Sequence, residues 1–248
     1  MSLRICILET DILRPALAGQ YQGYGRMFES LFARQPVAAH FEIFNVMQGV
    51  YPPEGERFDA YLVTGSKADS FGTDPWILTL KEYLLELYRR GETLLGICFG
   101  HQLLALALGG KTERASQGWG AGIHHYQLAP ATAWMTPSVE RLTLLISHQD
   151  QVTTLPEGAT VIASSEFCPF AAYHINDQVL CFQGHPEFIH DYSRALLDIL
   201  QSTLGDQLYH SGVASLEHDH HGPTVAEWMM RFVAHRRDAK RSTTTPSV

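Results

Sequence analysis

The sequence is short of cysteine, of positive charge and of long apolar runs. It has four cysteines, Cys6, Cys98, Cys168 and Cys181, and no two form a C-x-x-C pair. That usage argues against a disulfide framework and suits a reducing, cytoplasmic setting. Lys and Arg number 18 against 26 Asp and Glu, for a net charge of −8. Nucleic acid and anionic membrane both need a positive face, so neither is expected as a partner. No stretch approaches the ~20 apolar residues that cross a bilayer. Residues 1–9 lack the basic, apolar and small-residue series of a secretory signal. What is present is an ordinary globular balance, 45% hydrophobic and 18% charged over 248 residues. That is enough for a sizeable core in one large domain or two small ones.

The apolar pattern alternates between strand and helix spacing. Residues 3–8, 41–46, 60–64 and 93–97 read as strands, and residues 23–34, 76–90 and 102–108 carry helical spacing. Asp74-Pro75 can start the second of these helices and Gly91 can end it. Strand and helix in alternation predict an α/β fold: a flavodoxin-like, mostly parallel sheet with helices on both faces. Residues 122–128, 141–146, 160–164, 171–175 and 179–183 then read as successive strands, with Asn176-Asp177 as a hairpin turn. They predict a small antiparallel patch inserted late in the chain. Helical spacing returns at 191–201 and 224–235. Residues 1–239 are expected to form one domain and the polar residues 240–248 a disordered tail.

The chemistry concentrates at Gly96-Ile97-Cys98-Phe99-Gly100-His101-Gln102, between a strand run and a helix run. A G-x-C-x-G there is the thiol counterpart of a nucleophile elbow. A tight turn lifts the side chain, glycines spare the neighbouring backbone a clash, and the helix N-terminus stabilises negative charge on sulfur. On its own the motif is also compatible with a buried cysteine in a glycine-rich turn. Gln183-Gly184-His185-Pro186-Glu187 closes a later strand run and precedes a helix. Strand ends of a parallel sheet share one crevice, so His185 can reach Cys98. An imidazole can take the thiol proton and return it to a leaving amine. Glu187 can hold the ring by its far nitrogen.

Four blocks in this order resemble the class I glutamine amidotransferases: Val63-Thr64-Gly65-Ser66, GICFGHQ at 96–102, SHQDQV at 147–152 and QGHPE at 183–187. The resemblance implies a catalytic triad of Cys98, His185 and Glu187, and an oxyanion hole from the N–H groups of Gly65 and Phe99. It further implies substrate contacts from Gln102 and from Ser147, His148, Gln149 and Asp150, with no metal and no organic cofactor. The chain departs from the family pattern at Ser66, where proline is usual, at Gln149, where glycine is common, and at Gly184, where phenylalanine is familiar. The segments 65–70 and 74–77, with the HQD at 148–150, are similar to free-standing GMP synthase amidotransferase-like proteins and to plant γ-glutamyl peptidases.

The expected reaction is cysteine-dependent hydrolysis of glutamine, releasing ammonia to a separate acceptor enzyme. The alternative is a stand-alone γ-glutamyl peptidase or amidase acting on compounds such as glutathione conjugates. A silent binding module is disfavoured by the intact Cys98, His185 and Glu187. The sequence holds neither a G-x-x-x-x-G-K-[ST] loop nor a Ser-Gly-Gly-x-Asp loop, and about 60 residues follow the last motif, too few for a synthetase domain. A synthetase partner would therefore be another chain. His218-Asp219-His220-His221 looks like a metal cluster, but its contiguity favours a solvated loop. His124-His125 sits in a strand run, where only one ring can point inward. Trp119 either shapes the mouth of the site or is simply packed. Arg236, Arg237, Lys240 and Arg241 read as a solvated helix end.

Overall fold

A computed structural model describes residues 2–244. In chain order the strands are β1 (Leu3–Glu9), β2 (Ala39–Asn45), β3 (Ala60–Val63), β4 (Leu94–Ile97), β5 (Lys111–Arg114), β6 (Gly120–Leu128), β7 (Arg141–His148), β8 (Asp150–Thr154), β9 (Ala159–Ser164), β10 (Ala172–Ile175) and β11 (Val179–Phe182). The helices are α1 (Pro15–Tyr21), α2 (Tyr24–Phe32), α3 (Pro75–Arg89), α4 (Phe99–Ala107), α5 (His190–Leu204), α6 (Asp206–Ser215) and α7 (Gly222–Thr244).

One nine-stranded sheet runs in the order β2-β1-β3-β4-β11-β10-β9-β6-β7. Its first five strands are parallel. From β10 onward the pairings are antiparallel. The expected α/β fold is the one adopted, and the antiparallel strands continue the same sheet. A separate two-stranded sheet pairs β5 with β8.

The inner parallel strands β3, β4 and β11 read as continuous apolar runs because both of their faces are covered. β1 shows how the pleat divides the two faces. Leu3, Ile5 and Ile7 pack with Phe28 and Phe32 of α2 and Trp228 and Met229 of α7. Cys6 and Leu8 point the other way, onto Ile77, Leu80 and Leu84 of α3 and Leu103 and Leu104 of α4. Cys6 and Cys181 are therefore packing residues, and burial pushes the Cys181 thiol up to about 12. A smaller cluster of Leu13, Leu17, Tyr24, Met27, Leu145, Phe188 and Tyr192 joins α1, α2, α5 and the ends of the sheet.

Four elements escape the sequence pattern: α1, α6, β5 and β8. The helix α1 has seven residues, too few to display a period, although Pro15 at its start is a fitting signal. β5 is the polar stretch KTER with one buried residue. The C-terminal segment differs from expectation. α7 continues through Lys240 to Thr244, and residues 245–248 lie outside those described. Arg236 is also not a solvated end. Its guanidinium pairs with Asp177 in the β10–β11 turn and donates to the Gly91 carbonyl at 3.1 Å, fastening α7 to the rim of the sheet.

Because β1, β3, β4 and β11 are adjacent and parallel, their C-terminal ends open into one crevice. Asp11, Gly65, Cys98 and His185 all follow those ends within a few residues.

Candidate active site

Cys98 caps α4 with φ 50° and ψ −100°, a conformation that L-residues avoid. Close packing of β4, α4 and β3 imposes it. A Cβ on Gly96 would lie 2.7 Å from the Gly100 carbonyl group, and one on Gly100 would lie 2.4 Å from the Val63 carbonyl oxygen. Only glycine at both positions lets the helix begin so close to the sheet. Cys98 N–H donates to Phe182 O at 2.9 Å, so the elbow is tied to β11, the strand that leads to His185.

His185 is brought in by its own backbone, which donates to Leu145 O at 2.8 Å. Its ring stacks on Phe188 with 3.9 Å between centres and 10° between planes. Nδ1 meets Glu187 Oε1 at 2.7 Å, inside a site where both side chains are buried. The ring stands beside the Cys98 sulfur, close enough for the sulfur's charge to act on it. Burial alone would lower its basicity. The Glu187 carboxylate and the Cys98 sulfur outweigh that and raise His185 to about 10. Sulfur, imidazole and carboxylate are thus gathered in one buried place from two motifs far apart in the chain.

Gly65 completes the contact. A Cβ there would stand 2.7 Å from His185 Cε1 and 3.6 Å from Cys98 Cβ. Its carbonyl accepts from Thr10 Oγ1 at 3.0 Å and Thr64 Oγ1 at 3.2 Å. The backbone of the β3–α3 loop is therefore held where it passes the thiol. Phe99 N–H belongs to the first turn of α4, where helix N–H groups have no intrahelical acceptor. Gly184 departs from the family pattern for a packing reason: a Cβ would meet Leu144 at 2.8 Å.

The other expected site residues share this cavity but with different duties. Gln102 is buried, and its amide nitrogen donates to Asp150 O at 2.8 Å and to Gln183 Oε1 at 3.1 Å. Those bonds spend its donors on joining α4 to β8, so its free offering to a ligand is the oxygen. His148 Nδ1 donates to Asp150 O at 3.1 Å, and its ring lies beside Phe167. Ser147 and Gln149 line the cavity wall. Asp150 pairs with Arg114 at 3.2 Å, and Arg114 also holds Asp69 at 3.0 Å.

The cavity has a volume of about 470 Å³. It also takes in Lys67 and residues that the motifs did not mark: Asp11, Arg14, Tyr24, Arg114, Tyr192 and Leu196. Asp11 is buried, receives the Lys67 backbone N–H at 2.9 Å and pairs with Lys67 Nζ at 2.8 Å. The signal available for this pair was the position of Asp11 just past β1. Trp119 lines the cavity as well. Of the two ambiguous histidine groups, His124 is half-buried against Phe167 and His125 is exposed. His218 and Asp219 are exposed, whereas His220 accepts from Gly222 N–H and His221 pairs with the Thr143 backbone at the start of α7. Among the described residues no three His, Cys, Asp or Glu side chains converge as metal ligands. None of their helices is long and apolar enough to cross a membrane.

Burial holds both His101 and His148 down to about 3. The fold therefore keeps them neutral, while an unfolded chain protonates them near 6.5. Their contribution is complete above pH 6.5 and is lost as pH falls from there toward 3. Each weakens the fold by up to about 1.4 kcal/mol per pH unit in that window. Urea midpoints at pH 7.5, 6 and 5 should fall steadily. A midpoint that stays flat to pH 5 would contradict neutral burial of these rings.

Known proteins resemble this chain in sequence and in fold. The family model described as glutamine amidotransferase class-I matches residues 70–198. Gamma-glutamyl peptidase 3 of Arabidopsis thaliana is 36% identical over 176 residues, covering 68% of this chain and 70% of that protein. The glutamine-hydrolyzing GMP synthase of Streptococcus equi subsp. equi is 30% identical over 182 residues, covering 67% of this chain but 32% of that enzyme. The crystal structure of a glutamine amidotransferase from Thermotoga maritima superposes with a TM-score of 0.72 at 17% identity, over 95% of this chain and 98% of that one. A model match across more than half of the chain, joined to a relative of that identity and coverage, makes this protein a member of the class I glutamine amidotransferase family.

Proposed function

We propose that the protein hydrolyses γ-glutamyl amides and peptides through Cys98 and frees the amine to solution. The observation that carries this reading is the buried gathering of the Cys98 thiol, the His185 imidazole and the Glu187 carboxylate bonded to that ring. The sulfur attacks the γ-carbonyl carbon, and the tetrahedral oxyanion takes hydrogen bonds from the N–H groups of Gly65 and Phe99. One such donor is worth about 3–4 kcal/mol of barrier. The amide C–N bond at that carbonyl breaks as His185 gives its proton to the departing nitrogen. Water then attacks the γ-glutamyl thioester with His185 as base, which restores the thiol and releases glutamate. Gln102 Oε1 and the 147–150 segment are assigned to the α-amino and carboxylate end of the glutamyl group.

The sequence motifs put glutamine hydrolysis for a separate synthetase first. Two relatives that carry the name γ-glutamyl peptidase, 36% and 35% identical, favour the peptide reading instead. A panel of glutamine, glutathione and γ-glutamyl amines, scored for the released amine, separates the two. We expect kcat/KM for a γ-glutamyl peptide at least tenfold above that for glutamine. Preference for glutamine, with ammonia as product, would return the assignment to a glutaminase.

A further inference from the structure

The cavity contains a wall that an ammonia leaving group would never touch, and its assignment rests on the γ-glutamyl hydrolase reading above. Leu196, Leu200 and Thr203 of α5 line it at i, i+4 and i+7, one face of the helix. At 1.5 Å per residue that stripe is roughly 10 Å long. Leu13 and Ile12 on the loop after β1 add to the apolar lining, and Ile12 is 54% exposed. The departing nitrogen of glutamine carries no carbon for this surface to contact.

Three cations line the same cavity, and their partners differ. Lys67 is held by Asp11, and Arg114 by Asp69 and Asp150. Arg14 has no carboxylate partner among the described residues, although it lines the cavity and its charge acts on the Tyr192 hydroxyl one turn before Leu196. An unpaired guanidinium beside an apolar stripe matches an amine with an apolar body and a carboxylate.

We propose that Arg14, Ile12 and the Leu196–Leu200–Thr203 stripe form the leaving-group subsite, and that Arg14 binds the carboxylate of a departing amino acid or peptide. This makes γ-glutamyl peptides with an apolar second residue the preferred substrates. Neutral γ-glutamyl amides and glutamine itself bind less well.

γ-Glutamyl-leucine and γ-glutamyl-leucinamide have nearly the same shape and differ in the terminal charge, so they isolate the role of Arg14. Arg14 is exposed and its side chain makes no cap bond to α1, so Arg14→Ala leaves the fold intact. We expect wild type to favour γ-glutamyl-leucine over both the amide and glutamine. Arg14→Ala should raise KM for γ-glutamyl-leucine at least tenfold, with a several-fold smaller change for the leucinamide, and Arg14→Lys should recover part of the difference. Leu200→Asn should weaken both leucine substrates more than glutamine. Equal effects of Arg14→Ala on the acid and the amide, or wild-type preference for glutamine, would overturn the subsite while Cys98 chemistry stands. Failure of wild type to cleave any of the three, or full activity of Cys98→Ala, would overturn the hydrolase reading and the subsite with it.

Discussion

Replacing Cys98 by alanine should abolish release of amine from every γ-glutamyl substrate, a fall of about 10⁴-fold or more in kcat. The size comes from the step removed. Without sulfur there is no nucleophile, and so no covalent intermediate. The side chain is buried and its backbone stays in the same strained elbow, because Gly96 and Gly100 still fix the approach of α4 to β3. Loss of activity should therefore come without loss of the fold, and urea midpoints of variant and wild type should lie close together. Residual turnover within tenfold of wild type would place the nucleophile elsewhere.

Glu187→Gln tests a different part of this site and should lower kcat by about 10²–10⁴-fold. The carboxylate, with the Cys98 sulfur, outweighs the burial that would otherwise depress His185. With an uncharged amide in its place, burial acts with less opposition and the imidazole loses its proton at lower pH. Wild-type His185 is raised, so its stabilising charge is present below the unfolded value near 6.5 and is lost as pH climbs through about 10. The variant should lose it earlier. Its pH–rate profile should shift toward acid on the limb where protonated His185 assists amine departure, and an NMR titration of the ring should show the same displacement. Glu187→Ala should add a stability cost of about 1–3 kcal/mol, because the buried Nδ1–H is left without an acceptor. An unchanged pH profile in Glu187→Gln would show that another group orients the ring.

Some parts of this molecule announce themselves locally. The inner parallel strands are read from apolar runs because each is covered on both faces, so burial leaves its mark on consecutive residues, as at Ala60–Val63 and Leu94–Ile97. The elbow is read from Gly96 and Gly100 because close backbone approach tolerates no side chain. Other parts leave no such mark. β5 and β8 pair with each other at the margin of the sheet and are partly exposed, so their residues are chosen for solvent as much as for strand. α7 continues through a polar stretch with no local apolar spacing to mark it, beyond the point where Arg236 ties the helix to the Gly91 carbonyl and Asp177.

The amino-acid sequence by itself determined the α/β class, the order of its motifs and the three residues to which the chemistry is assigned, because tight turns and thiol catalysis restrict which side chains can stand at a few adjacent positions. Only the tertiary structure decided what surrounds them. It spent the amide donors of Gln102 on Asp150 and Gln183, kept His148 neutral, gave Lys67 and Arg114 carboxylate partners and left Arg14 with none among the described residues. The reason is physical: an ion pair or a buried hydrogen bond forms between groups far apart in the chain, and neither partner's neighbours in sequence record that the meeting takes place.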